Sequence, residues 1–189
     1  LTYSARAAAL LPLVIHEAAT NGNYAPLAAQ AEMLGEDLER MIAMGMHHSV
    51  VCAEDAPRFA GAVDRAELER SYIGPIMLDG MNAVCEVWPR GPVDEDFHEP
   101  LASAVPALLL SGEFDPATPA DYGRTAAEGF ESHLHVIVPG QGHGQTRLPC
   151  VQQILRRFID QGSVADLDTS CVEAIRPAPF FLSFGGPSP

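Results

Sequence analysis

Residues Val105 to Gly144 read VPALLLSGEFDPATPADYGRTAAEGFESHLHVIVPGQGHG. Two apolar runs in this stretch, Pro106–Leu110 and Leu134–Val138, have the length and bounding residues of buried strands. A segment of helical character, Pro119 to about Phe130, separates them, so the unit reads as strand–helix–strand. Such units build parallel pairs joined by a right-handed crossover. Each run ends in a loop carrying one residue suited to proton transfer, Asp115 after the first and His143 after the second. In a parallel sheet both loops leave the carboxyl ends of their strands, the edge where open α/β folds place their sites. The two residues lie 28 positions apart. Neighbouring strands can nonetheless bring them within a hydrogen bond, as when an Asp orients a general-base imidazole.

The loops themselves support that reading. Gly112 allows a tight backbone after the first strand, and Pro116 restricts Asp115. Thr118 is the expected N-cap of the following helix, with Pro119 in its first turn. Gly142 and Gly144 flank His143 and let the imidazole project from a tight turn. Two bland alternatives stand beside this: Asp115 could merely cap the helix, and Glu113 competes with it as the orienting acid. His133 and His135, at the strand edge, read as surface or packing residues.

SGEFDPATP followed by VIVPGQGHG resembles the end of an α/β-hydrolase. More specifically, the chain resembles the C-terminal part of the tripeptidyl-aminopeptidase-like serine hydrolases, relatives of the proline iminopeptidases. The likeness continues through LPCVQQILRRFIDQGSVADLDTSC and RPAPFF, and back to SVVCAEDAP at Ser49–Pro57. It implies that the acid sits at the D-P position, which favours Asp115 over Glu113. It also implies a nucleophile order of Ser, then acid, then His, with Ser in a G-x-S-x-G elbow. No G-x-S-x-G occurs here, and Ser183 in FFLSFGG lacks the first Gly and follows the His. The expectation is therefore the back half of a hydrolase, an α/β-hydrolase C-terminal portion whose N-terminal sheet half is absent.

Composition is compatible with that. A chain of 189 residues can bury one core or somewhat more. The opening LTYSARAAALLPLVIHEAA has no initiator Met, basic n-region or small-residue cleavage site, so it does not read as a signal peptide. No apolar stretch approaches the roughly 20 residues needed to span a membrane. A formal charge of −14, from 25 acidic and 11 basic residues, argues against nucleic acid or anionic lipid as a partner.

The four cysteines lack C-x-x-C spacing and an accompanying His pair, so neither a structural zinc nor another metal or cofactor is expected. Four cysteines allow three connectivities, and their spacing does not choose among them. Cys150 and Cys171 bracket a short helix, and a bridge there could contribute roughly 3 kcal/mol. The resemblance implies Cys150–Cys171, which leaves Cys52–Cys85. Two bridges point to a secreted or periplasmic protein, whereas four buried thiols would fit a cytosolic one.

Residues before the strands read as helical. Tyr3–Thr20 has apolar positions Ala7, Leu10, Leu11, Val14 and Ile15, and NGN at 21–23 stops it. A second helix is expected over Pro26–Met44, burying Leu27, Ala28, Met33, Leu34, Leu38, Ile42 and Met44. Met33, Met41, Met44 and Met46 could line an adaptable substrate pocket or simply fill a core. Ser49–Val51 reads as a short extended run, which would point His47 and His48 to opposite faces and disfavour metal binding. Glu54 is the candidate for binding a substrate's α-ammonium, a part thought to fall to cap carboxylates in the related iminopeptidases. Its bland alternative, shared with Asp55, is to cap the next segment or pair with Arg58 or Arg65. Two further helices are expected at about 64–71 and 75–86, the first with Asp64 as N-cap and Glu67 completing a capping box.

The expected organisation is a helical cap at 1–90, an acidic breaker-rich linker at 91–104, a sheet portion at 105–162 and a disulfide-tethered tail at 163–189. In the tail, Gly185–Pro189 is expected to be disordered. The helical segment opening at Pro149 should present Ile154, Leu155, Phe158 and Ile159 to the sheet. The expected function is acyl transfer on peptides from the N-terminus, with His143 and Asp115 in a Ser-Asp-His triad. The Ser would come from an N-terminal half, on a separate chain or missing here, so the isolated chain should be inactive. Its incomplete sheet should make it aggregate or hold a partner tightly. A carboxylesterase, or a non-catalytic binding or assembly module that keeps the fold, is the alternative.

Overall fold

A computed structural model describes residues 2–187, the side chains of 34, 36–39 and 41 excepted. Helices α1 (Ala5–Asn21), α2 (Ala25–Met41), α3 (Met44–Val50), α4 (Phe59–Ala62), α5 (Arg65–Glu69) and α6 (Ile76–Val87) precede strand β1 (Ala107–Gly112). Helix α7 (Ala120–Ala127), strand β2 (His133–Val138) and helix α8 (Pro149–Gln161) follow. The chain divides into two compact units, Leu1–Glu32 with Pro100–Pro189, and Met33–Glu99.

In the first unit β1 and β2 run parallel, in register from Ala107 opposite His133 to Gly112 opposite Val138. A short parallel bridge between Ser103 and Phe130 extends the pairing. Val136, Val138, Val151, Ile154, Leu167 and Val172 form the core, and Leu108, Leu110, Leu134, Leu155 and Phe158 pack against it. The stripe of α8 is thus Val151, Ile154, Leu155 and Phe158, the i, i+3, i+4, i+7 positions of one helix face. Ile159 lies one step round the helix and is 73% exposed, so its expected burial is corrected to Val151. Cys150 and Cys171 are bridged, with Cα atoms 5.8 Å apart. The segment after α8 is more than a tether, because Leu167 and Val172 belong to the core.

Residues 1–32 pack with this unit rather than with residues 33–90. Ser4 caps α1 by accepting from the Ala7 N–H at 3.1 Å, and the helix buries Ala9, Val14 and Ala18. Ile15, expected on the apolar face, is exposed. The Phe181 N–H donates to the Ala9 carbonyl, tying the C-terminal segment to α1. Gly186 closes a hydrogen-bonded turn with Ser183, so order extends past Gly185; Ser188 and Pro189 lie outside the described residues.

The unit Met33–Glu99 is built differently. Helix α3 continues through a π-helical turn, Val51–Asp55, into a 3₁₀ turn at Ala56–Arg58. Ser49–Val51 is therefore helical, not extended. Three residues with no partner strand cannot make a sheet, and their neighbours propagate the helix. Cys52 is bridged to Cys85 of α6, with Cα atoms 5.1 Å apart. These two residues, 0% and 4% exposed, are the buried side chains among the described residues of this unit. Around them Trp88 Nε1 donates to Ser49 Oγ at 3.0 Å, and the Trp88 ring meets the edge of His48. Asp64 caps α5 by accepting from the Ala66 and Glu67 N–H groups. Arg65 forms a fork with Asp79 at 2.7 and 3.0 Å and also reaches Glu69. Met33, Ile42, Met44 and Met46 are exposed, not buried; Leu34, Leu38 and Met41 lie outside the described side chains.

Candidate active site

The close of the β1–β2 pair brings two loops together. The Glu113 N–H donates to the Val138 carbonyl and the Phe114 N–H to the Gln141 carbonyl. Gly112 sits where these loops meet, and a Cβ there would collide with the carbonyl oxygen of Gly142. Only glycine permits this approach. The loop after β2 turns at Gly140, whose φ of 64° and contact with Pro177 likewise leave no room for a side chain.

Asp115 and His143 meet across this junction. Asp115 Oδ2 lies 3.0 Å and Oδ1 3.2 Å from His143 Nδ1. The carboxylate is otherwise saturated. Oδ1 accepts from the Ala117 and Thr118 N–H groups, both at 2.9 Å, and Oδ2 from the Thr118 hydroxyl at 3.0 Å. Thr118 Oγ1 also lies 3.3 Å from His143 Nδ1. The Asp115 side chain is 4% exposed and that of His143 44%. Burial works against the Asp115 charge most strongly, but the Thr118 and Ala117 amides, the Thr118 hydroxyl and His143 outweigh it. Its carboxyl is held below the usual carboxylate range. An ionised Asp115 can only accept, so Nδ1 carries the proton and Nε2 is left as the basic nitrogen. Among the described residues nothing hydrogen-bonds Nε2.

Sequence reasoning paired Asp115 with His143 and missed the supports around them. Thr118 was expected to cap the helix; instead α7 starts at Ala120 without a side-chain cap, and Thr118 serves Asp115. The D-x-x-T spacing was the available signal, since an Asp reaches amides two and three residues on. Tyr3 holds His143 twice, its carbonyl accepting the His143 N–H at 2.7 Å and its ring meeting the imidazole edge-on. Glu113, the competing acid, is engaged elsewhere, accepting from the Gly140 N–H at 2.7 Å. His135 Nε2 meets the buried Ser111 Oγ at 2.9 Å beneath Gly123, and burial, with Arg124 and His133 nearby, pushes its imidazole down. An apolar cavity of about 400 Å³ beside the site is walled by Ala5, Ala9, Phe114, Gly142, Pro177 and Phe180.

Glu54 sits half-buried in the π-helical turn of the other unit, without a hydrogen-bond or ion-pair partner among the described residues. Arg65, its possible ion-pair partner, is committed to Asp79 and Glu69. His47 and His48 lie on α3 with ring centroids 5.6 Å apart. Among the described residues no group of three or more His, Cys, Asp or Glu side chains could hold a metal ion.

A parallel strand pair, a crossover helix and an acid–imidazole contact at the strand ends are features of an α/β protein of hydrolase type. The model of the family described as TAP-like protein matches residues 70–171, more than half of the chain, which therefore belongs to this α/β-hydrolase family. No curated protein and no solved structure matches the chain. The matched span contains Asp115, His143, Cys85, Cys150 and Cys171, and leaves Cys52 and Glu54 outside.

Proposed function

We propose that the chain supplies the acid and the base of a serine hydrolase that removes residues from peptide N-termini. The observation that carries this reading is the Asp115–His143 contact, with the carboxylate buried, saturated and ionised and Nε2 without a hydrogen-bond partner among the described residues. His143 Nε2 takes the proton of a serine hydroxyl as its oxygen bonds to the substrate carbonyl carbon. It then gives that proton to the departing amine as the carbon–nitrogen bond breaks. Water, deprotonated by the same nitrogen, releases the acyl group and restores the serine. Asp115 keeps the Nδ1–H tautomer and stabilises the imidazolium.

The serine is proposed to come from an N-terminal hydrolase half, on a separate chain or on a segment outside this one, and this chain alone is inactive. Glu54 is proposed to bind the substrate's α-ammonium, which its lack of another partner among the described residues supports. Ester hydrolysis would use the same steps, and Glu54 separates the two chemistries. Glu54→Gln should raise KM for free-amine peptides and leave esters untouched in a peptidase. The two disulfides support a secreted or periplasmic location. No helix among the described residues is long and apolar enough to cross a membrane.

A fluorophosphonate label followed by non-reducing intact mass analysis tests this. A labelled second polypeptide that needs His143 for its labelling supports the two-part hydrolase. A purified complex that never labels, with His143→Ala indistinguishable from wild type, favours the second reading, a binding or assembly module. That alternative draws on one observation: among the described residues no serine hydroxyl contacts His143.

A further inference from the structure

His143 rides on Pro139–Gly144, a turn with glycines at 140, 142 and 144 and therefore with little stiffness of its own. Besides the local bond from the Gln141 N–H to the Val138 carbonyl, four hydrogen bonds among the described residues hold its backbone. The Phe114 N–H donates to the Gln141 carbonyl at 2.9 Å and the His143 N–H to the Tyr3 carbonyl at 2.7 Å. Gln145 Nε2 donates to the Gly142 carbonyl, and Glu113 Oε2 accepts from the Gly140 N–H at 2.7 Å. The last of these alone is made by a carboxylate, and that carboxylate comes from the loop that carries Asp115. Charge-assisted bonds of this kind are roughly twice as strong as neutral ones.

We propose that Glu113 is a positioning residue for His143, clamping the turn after β2 to the loop after β1 so that Nδ1 stays on Asp115. The Gly140 N–H has no main-chain acceptor among the described residues. Its φ of 64° and its contact with Pro177 fix that N–H toward the end of β1. Removing the carboxylate frees the start of the turn, and three residues later the imidazole loses its angle to Asp115. Glu113 thus competes with Asp115 only on paper: one carboxylate orients the ring and the other its backbone. The consequence for turnover rests on the proposed acid–base role of the pair; the clamp itself is testable without turnover.

The test uses the full 189-residue chain, ¹⁵N-labelled at histidine and glycine, and reads the His143 tautomer and Gly140 amide exchange. Wild type should hold the Nδ1–H tautomer. Glu113→Ala should shift His143 toward Nε2–H and speed Gly140 exchange by about tenfold or more, with unchanged far-ultraviolet circular dichroism. Glu113→Gln, whose amide oxygen still accepts from Gly140, should restore both readouts. Faster Gly140 exchange with an unmoved tautomer would overturn the proposal, since Glu113 would then hold the turn alone. Glu113→Gln behaving like Glu113→Ala would overturn it as well. Should Glu113→Ala not fold, Glu113→Asp, too short to reach Gly140, decides by the same readouts. Asp115→Asn is the control. If it leaves the His143 tautomer at its wild-type value, the acid–base reading has failed, an outcome distinct from failure of the clamp.

Discussion

The two units hide their apolar surface by different means. The sheet unit buries Val136, Val138, Val151, Ile154, Leu167 and Val172 around a parallel strand pair, with the Cys150–Cys171 bridge added to a core that already exists. In the unit Met33–Glu99 the buried side chains, among those described, are Cys52 and Cys85 themselves. Among the described side chains, its cystine is its core. Small domains short of apolar burial depend on covalent staples, so one bridge supports a fold and the other creates one.

The largest expected effect breaks that contrast directly. Cys52→Ala with Cys85→Ala should unfold the unit Met33–Glu99, since closing a loop of this size is worth about 3–4 kcal/mol. Proteolysis should then cut within 33–99 while β2 and α8 amides stay protected. Equal resistance in the variant would mean that the unit has a core of its own. The companion pair, Cys150→Ala with Cys171→Ala, should lower the sheet unit's melting temperature yet leave it folded.

Next in size is Ile154→Ala, which empties a fully buried position of α8 and should cost the sheet unit about 2–5 kcal/mol in denaturant unfolding. No single apolar truncation among the described side chains of Met33–Glu99 should approach this. A comparable loss from Leu78→Ala would erase the contrast.

Asp115 gives the third. Its carboxyl titrates below its unfolded value, so its stabilising share is present at neutral pH and disappears as pH falls through the depressed value. Asp115→Asn should therefore cost about 1.5–3 kcal/mol at pH 7 and progressively less in acid, as denaturation midpoints at pH 7 and pH 3 would reveal. A loss independent of pH would assign the effect to packing. The smallest effect is expected at Arg65→Ala, which removes an exposed, solvent-screened fork with Asp79 and should leave the denaturation midpoint almost unchanged.

What could be read without coordinates follows the same division. Two apolar runs bounded by breakers announce β1 and β2, because a short continuous apolar run between turn residues is a strand signature. The loops carrying Asp115 and His143 were legible for a related reason, since glycine and proline mark where the chain must turn. Tyr3 was not legible. Its carbonyl meets the His143 N–H across most of the sequence, and a backbone acceptor carries no residue signature. Ser49–Val51 misled because three apolar or small residues suit strand and helix alike, and the neighbouring turns decide. Ile159 misled by phase, being adjacent on the helical wheel to the stripe that Val151 completes. Residues 1–32, expected with the cap, fall in the sheet unit, and the sequence hid this because α1 is Ala-rich and small side chains conceal which surface they will meet.

Gly112 has one more consequence. Because its missing side chain lets the two loops lie backbone against backbone, neither can swing away without carrying the other. Acid and imidazole are thereby aligned during folding and not on encounter with a reactant. Under the proposed acid–base role, an incoming hydroxyl would have one orientation to find in place of two, the translational and rotational freedom that separate groups would surrender having already been given up.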